Sequence, residues 1–340
     1  KGALKLEPSR TNFFPYSNKF LNTSWQYYRG TIIANATISP DGTLNASRYQ
    51  EDSQTGSHLF RRQSLSITNG LSYTGYIFAK KGELTSVRLA SNSNSRWVAG
   101  AEFNLENGTV ISGTGVIEDY GNGWYRCSIS GNAVQTTNVA GFEVYTSVGV
   151  GRDGDGLFMY GAMFEQGSYA TSYIPTSGQS GGVTRVADFC NNGGNEQVIN
   201  STEGVLYFEG SVIADVGETY KLSLNDGTNN NRIGIDFSVV SERVTFLHKG
   251  QGSATLVGTV NGIDKTAINK MALSYNSTTF KTYLNGIEVV NLSINNTILG
   301  LNELIFENTV GNDIFYGNVK DIRVYNTALT DQELIALTTI

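Results

Sequence analysis

Apolar and polar residues alternate with a period of two along most of the chain. Tyr73-Thr-Gly-Tyr-Ile-Phe-Ala-Lys80, Val98 to Leu105, Trp124 to Ile129, Ala140 to Tyr145, Leu157 to Phe164 and Gly204 to Gly210 all read as strands. Two further strands, Lys270 to Asn276 and Phe280 to Leu284, precede Asn285-Gly286. That dipeptide suits a type I′ turn, whose two central residues both need positive φ. Asp41-Gly42, Asn107-Gly108 and Asn122-Gly123 mark other turns. A 3.6-residue period is expected only at the end of the chain. There Thr330 and Glu333 form the Thr-x-x-Glu capping box, opening a helix over Asp331 to Leu337.

Short strands with polar turns predict an all-β protein of two tandem β-sandwich jelly rolls with a short C-terminal helix. A length of 340 residues suits two domains. The small, polar stretch from Tyr169 to Gly182 separates two alternating regions, so the domains are expected at 1–182 and 183–340. Composition agrees with turns and aromatic cores: 39 Gly, 18 Tyr and 16 Phe against 4 Pro.

The net charge of −6, with no run of more than two Lys or Arg, argues against nucleic-acid binding. No apolar run is long enough for a membrane-spanning helix, so membrane insertion is not expected. The opening Lys-Gly-Ala, without Met or a signal peptide, suggests a piece of a longer protein. Cys127 and Cys190 fall in different expected domains and are expected as free thiols.

An ordered succession of short motifs carries a family resemblance. Leu6-Glu-Pro-Ser-Arg-Thr-Asn12, Tyr16-Ser17, Trp25, Ser39-Pro-Asp-Gly-Thr43, Gly121 to Ser128, Gly161 to Gly167 and Ala170 to Thr176 resemble the opening domain of tailed-phage tail and fibre proteins. Ser223 to Gly234 and the closing strand and helix resemble the laminin-G-like, concanavalin A-like lectin domain that often follows. The resemblance implies a carbohydrate-binding-module-like jelly roll followed by a laminin-G-like one. It places them in a virion or at an extracellular bacterial surface, on a part that touches a host glycan such as a bacterial surface polysaccharide. It also implies a homotrimer through the parent fibre and a structural Ca²⁺. For that ion Glu7 and Glu165 are the first candidates, and Asp226 and Asp321 the weaker ones.

Sugars present flat C–H faces that stack on aromatic rings. Trp97, after a polar loop and beside Arg96, is the first candidate platform; Trp25 and Tyr28 are the next, while Trp124 is expected in the core. In the second half, Asn225, Asp226, Asn230 and Arg232 surround a loop that could bond vicinal hydroxyls, or could simply close a hairpin.

Catalysis has less support. The chain contains neither the Glu-x-Asp-x-x-Glu strand of jelly-roll glycosidases nor the Gln-x-His strand of alginate-lyase-like jelly rolls. His58 and His248 are the only histidines, and no nucleophile elbow is expected. Gly149 to Gly154 matches a dinucleotide fingerprint as a string, but a strand is expected after it rather than a helix. The sequence therefore points to non-catalytic glycan binding, with a polysaccharide-degrading enzyme or structural spacer domains as alternatives.

Overall fold

The computed structural model describes residues 2–91, 97, 99–215, 217–251, 256–294, 296–308 and 311–340. It divides into two compact units. One contains Ser9–Val186; the other is split, combining Lys1–Pro8 with Ala187–Ile340. The tandem arrangement expected at 1–182 and 183–340 is thus replaced by an insertion. The first strand of the split unit, β1 (Leu4–Leu6), precedes the whole inserted unit and pairs near the other end of the chain, with Leu4 opposite Val319.

The inserted unit begins with β2 (Arg10–Asn12), β3 (Gln26–Tyr28), β4 (Gly30–Ile38), β5 (Leu44–Glu51), β6 (Thr55–Ile67) and β7 (Ser72–Lys81). It continues through β8 (Ser86–Ser91), β9 (Gly100–Asn104), β10 (Thr109–Gly113), β11 (Val116–Asp119) and β12 (Trp124–Asn132). It closes with β13 (Thr137–Val150), β14 (Gly156–Gln166) and β15 (Val183–Arg185). Two antiparallel six-stranded sheets result, ordered β10-β9-β8-β13-β6-β3 and β11-β12-β7-β14-β5-β4, and β15 pairs separately with β2. Phe14, Phe60, Ile77, Phe103, Phe142 and Phe164 belong to the main core. Strand β7 is buried on both faces: Ile77 and Ala79 join that core, while Tyr76 and Phe78 join a second cluster with Trp124, Tyr160 and Ile174. This is why its sequence reads as a nearly continuous apolar run.

The split unit continues with β16 (Gly204–Val212), β17 (Tyr220–Asn225), β18 (Arg232–Phe237), β19 (Arg243–Lys249) and β20 (Leu256–Asn261). It ends with β21 (Asn269–Tyr275), β22 (Thr279–Leu284), β23 (Ile287–Ser293), β24 (Glu303–Ile305), β25 (Gly317–Tyr325) and helix α1 (Asp331–Thr338). Its sheets are ordered β1-β25-β16-β21-β22-β23 and β20-β19-β18-β17-β24. Asn285 and Gly286 both have positive φ, 50° and 84°, as the expected β22–β23 turn requires. The capping box also forms: Thr330 Oγ1 accepts the Glu333 amide at 3.3 Å and Glu333 Oε2 accepts the Thr330 amide at 2.8 Å. The helix buries Leu334 against Tyr207, Ala272 and Tyr283.

Both cysteines are free, Cys127 buried and Cys190 half-buried. Among the described residues no helix is long and apolar enough to cross a membrane.

Candidate functional site

Two of the aromatic candidates lie in the core. Trp97 is 1% exposed; its indole N–H donates to the carbonyls of Tyr73 (3.1 Å) and Gly131 (3.0 Å), and Phe164 meets its ring edge-on at 5.1 Å. An indole enclosed on both faces offers no surface to a sugar, so its assignment as a platform is corrected. Arg96, its expected partner, lies outside the described residues. Trp25 is 3% exposed, donates to the Tyr16 carbonyl at 2.8 Å and packs between Phe14 and Phe20. It too is a core residue. Trp124 is buried as expected and donates to the Ile38 carbonyl.

Tyr28 is different. It sits on the edge strand β3, 37% exposed, with Tyr27 beside it also exposed. Register carries the surrounding groups to it: Gln26 opposes Arg61, Arg61 opposes Glu143, and Tyr145 lies between Leu59 and Arg88. Alternation sends Phe60, Phe142 and Val144 into the core and therefore Arg61, Glu143 and Tyr145 to the outer face. Arg61 is the hub. It donates from Nε to Gln26 (3.1 Å), from Nη1 to Glu143 (3.3 Å) and from Nη2 to the Tyr28 hydroxyl (2.6 Å), with its guanidinium 4.7 Å from the centre of the Tyr28 ring. Tyr145 donates to the other Glu143 oxygen at 2.6 Å, and the exposed Arg88 guanidinium lies 5.1 Å from the Tyr145 ring centre. Burial, then the bond to Glu143, push the Tyr145 phenol up to about 12, so it remains a donor. Sequence alone marks Tyr28 as a candidate and does not mark Arg61, Glu143, Tyr145 or Arg88. Only their alternation within β6, β8 and β13 hinted at a shared face.

The loop candidates of the split unit mostly serve the loop itself. Asn225 is fully buried; its side-chain oxygen accepts the Gly227 amide at 2.7 Å, which corrects its assignment to ligand binding. Asp226 accepts from the Thr228 amide and hydroxyl and from Asn231. Burial would raise its pKa, but these hydrogen bonds outweigh it and hold the carboxyl below its usual range. Arg232 donates to Asn229 at 3.2 Å, while Asn230 is exposed and its amide donates to Thr228. Together these residues close the β17–β18 hairpin.

The calcium candidates do not fit a cation site. Glu7 belongs to the split unit and pairs with Lys5 at 2.8 Å, whereas Glu165 belongs to the inserted unit. Glu165 accepts from the Thr171 amide (2.8 Å) and hydroxyl (2.7 Å), with Arg10 at 3.6 Å, so it ties down the segment after β14. Asp321 is held by Arg323. Among the described residues no group of three or more His, Cys, Asp or Glu is placed to hold a metal.

Both histidines are buried. His58 lies beneath Gly151, and its Nε2 is 3.5 Å from Asp52. His248 packs against Phe280, and burial lowers its pKa to about 4. Gly178-Gln-Ser-Gly-Gly182 has the form G-x-S-x-G. It forms a turn that leads into β15 rather than a helix, and neither histidine lines the cleft beside Ser180. It is therefore not a nucleophile elbow.

Residues 214–335 match the family profile described as the concanavalin A-like lectin/glucanases superfamily. No curated protein sequence matches the chain. Among solved structures, a Ruminococcus gnavus IT-sialidase CBM40 bound to α2,3-sialyllactose is 16% identical over 44% of this chain and 96% of its own, with a TM-score of 0.36. Domains LG4-5 of the mouse laminin α1 chain are 10% identical over 82% of this chain and 90% of their own, with a TM-score of 0.30. The split unit is thus similar, over residues 214–335, to the concanavalin A-like lectins and glucanases.

Proposed function

We propose that the chain is a non-catalytic glycan-binding segment, and that the outer face around Tyr28 and Arg61 is one of its binding surfaces. The observation that carries this reading is the exposed Tyr28 ring within a prearranged set of Arg61, Glu143, Tyr145 and Arg88. The ring supplies a stacking surface; the charged groups supply donors and acceptors for hydroxyls, and their mutual bonds hold them in place before a ligand arrives. The lectin-type match over residues 214–335 supports the same reading for the split unit. The succession of fibre-like motifs supports a setting in a phage tail fibre or related surface protein that contacts a bacterial polysaccharide. Trimerisation of the parent fibre would then multiply weak sites into useful avidity, by about 10²–10⁴.

The test is a glycan array together with incubation on surface polysaccharides, read for binding and for shortened products. Binding that falls in Tyr28→Ala and Arg61→Ala without any product supports the proposal. Shortened polymer would establish an enzyme instead, and silence in both readouts would leave a spacer.

A further inference from the structure

Adjacent arginines on β6 point to opposite sides of their sheet. Arg61 belongs to the outer face described above, whereas Arg62 opposes the core residue Phe142 and lines a cleft of about 590 Å³ in the inserted unit. That volume lies within the ~300–1,000 Å³ of small-ligand sites. Phe13 and Pro15 give the cleft apolar walls; Ser64, Ser66 and Ser180 give it hydroxyls. Its rim is fixed, since the Gly178 amide donates to the Pro15 carbonyl and Gly178 adopts a φ of 106°. Ser64, a non-glycine residue at a φ of 62°, marks an irregularity in β6 at the cleft wall.

The guanidinium of Arg62 is under-used. Nη1 donates to the Ser24 carbonyl at 3.1 Å, but Nε is buried without a hydrogen-bond partner. Among the described residues no carboxylate offsets its charge, and burial alone lowers its pKa. A half-buried cation without a counter-charge is costly unless something anionic joins it. Nη1 is taken by Ser24 and Nε is buried, so Nη2 is the donor left to meet a carboxylate oxygen in the cleft, with the charge of the whole guanidinium behind it. One guanidinium balances a monoanion, and the mixed walls suit a ring with one apolar face and several hydroxyls.

We propose that this cleft is a second site, separate from the Tyr28 face, that binds an acidic monosaccharide unit. Arg62 receives the carboxylate of a uronic acid, and Ser64, Ser66 and Ser180 receive its hydroxyls. The test uses the whole chain with sodium glucuronate, glucose and inorganic phosphate, followed by calorimetric titration and by the thermal transition. Glucuronate is expected to bind and to raise the transition temperature, with glucose and phosphate much weaker. Arg62→Met, which removes an unpaired charge and keeps an apolar stem, is expected to fold at least as stably and to lose about tenfold or more in glucuronate affinity. Arg62→Lys keeps the charge but lacks the planar guanidinium that bonds Ser24 through one nitrogen and faces the ligand with another, so it should fall between the two. Tyr28→Ala should leave glucuronate binding unchanged, which separates this site from the outer face. Full glucuronate binding by Arg62→Met, phosphate binding as tightly as glucuronate, or no glucuronate response in the unaltered chain would each overturn the proposal.

Discussion

Trp97 and Tyr28 make opposite predictions that a single pair of variants can check. Trp97→Ala removes a fully enclosed indole that fills space beside Phe164 and supplies the N–H bonded to the Tyr73 and Gly131 carbonyls. Such truncations cost about 3–5 kcal/mol. For a unit of this size each kcal/mol moves the transition by about 2–4 °C, so its melting should fall by roughly 6–20 °C. Tyr28→Ala removes an exposed ring from an edge strand, and we expect a stability cost below about 1 kcal/mol. Its effect should appear in glycan affinity instead, as a loss of about tenfold or more. Scanning calorimetry follows the transitions and the glycan array follows binding, so the two properties are read separately. The reasoning would be refuted if Trp97→Ala kept its melting temperature but lost binding, because a ligand would then be reaching a ring described as enclosed.

Other consequences are independent of that pair. Thr330→Ala removes the hydroxyl that accepts the Glu333 amide and should cost about 1 kcal/mol in the split unit, visible in denaturant unfolding. His248 has a pKa lowered to about 4 by burial, from 6.5, so the folded protein keeps it neutral where the unfolded chain takes a proton. Its contribution to stability is therefore complete above pH 6.5 and is lost as the pH falls towards 4; His248→Phe should flatten this part of the stability profile. Because Glu7 and Glu165 are occupied by Lys5 and by Thr171, EDTA should leave both transitions unchanged. A downward shift reversed by Ca²⁺ would show that these carboxylates rearrange around an ion.

Local signals were legible because each depends on neighbours in sequence. The Asn285-Gly286 turn needs two residues that tolerate positive φ, and the helix start needs only Thr330 and Glu333. The apolar and aromatic runs of β7, β12 and β14, bounded by turn residues, are likewise legible as strands, since burial on both faces needs only that each run be apolar nearly throughout. The candidate site was less legible. A tryptophan beside a polar loop reads the same whether its ring turns outward or inward, and Phe164, Tyr73 and Gly131 decide that question for Trp97.

What the sequence determined by itself was the all-β class, the residues able to make its turns, and the capped helix at its end. Only the tertiary structure decided that residues 1–8 complete the second unit, because β1 must find β25 across the entire inserted unit. It also decided that Tyr28, Arg61, Glu143 and Tyr145 share one face while Arg62 turns away from it. The physical reason is the same in both cases. Strand pairing and register are set by backbone hydrogen bonds and burial between segments far apart in the chain, and no local pattern encodes which distant strand will lie alongside.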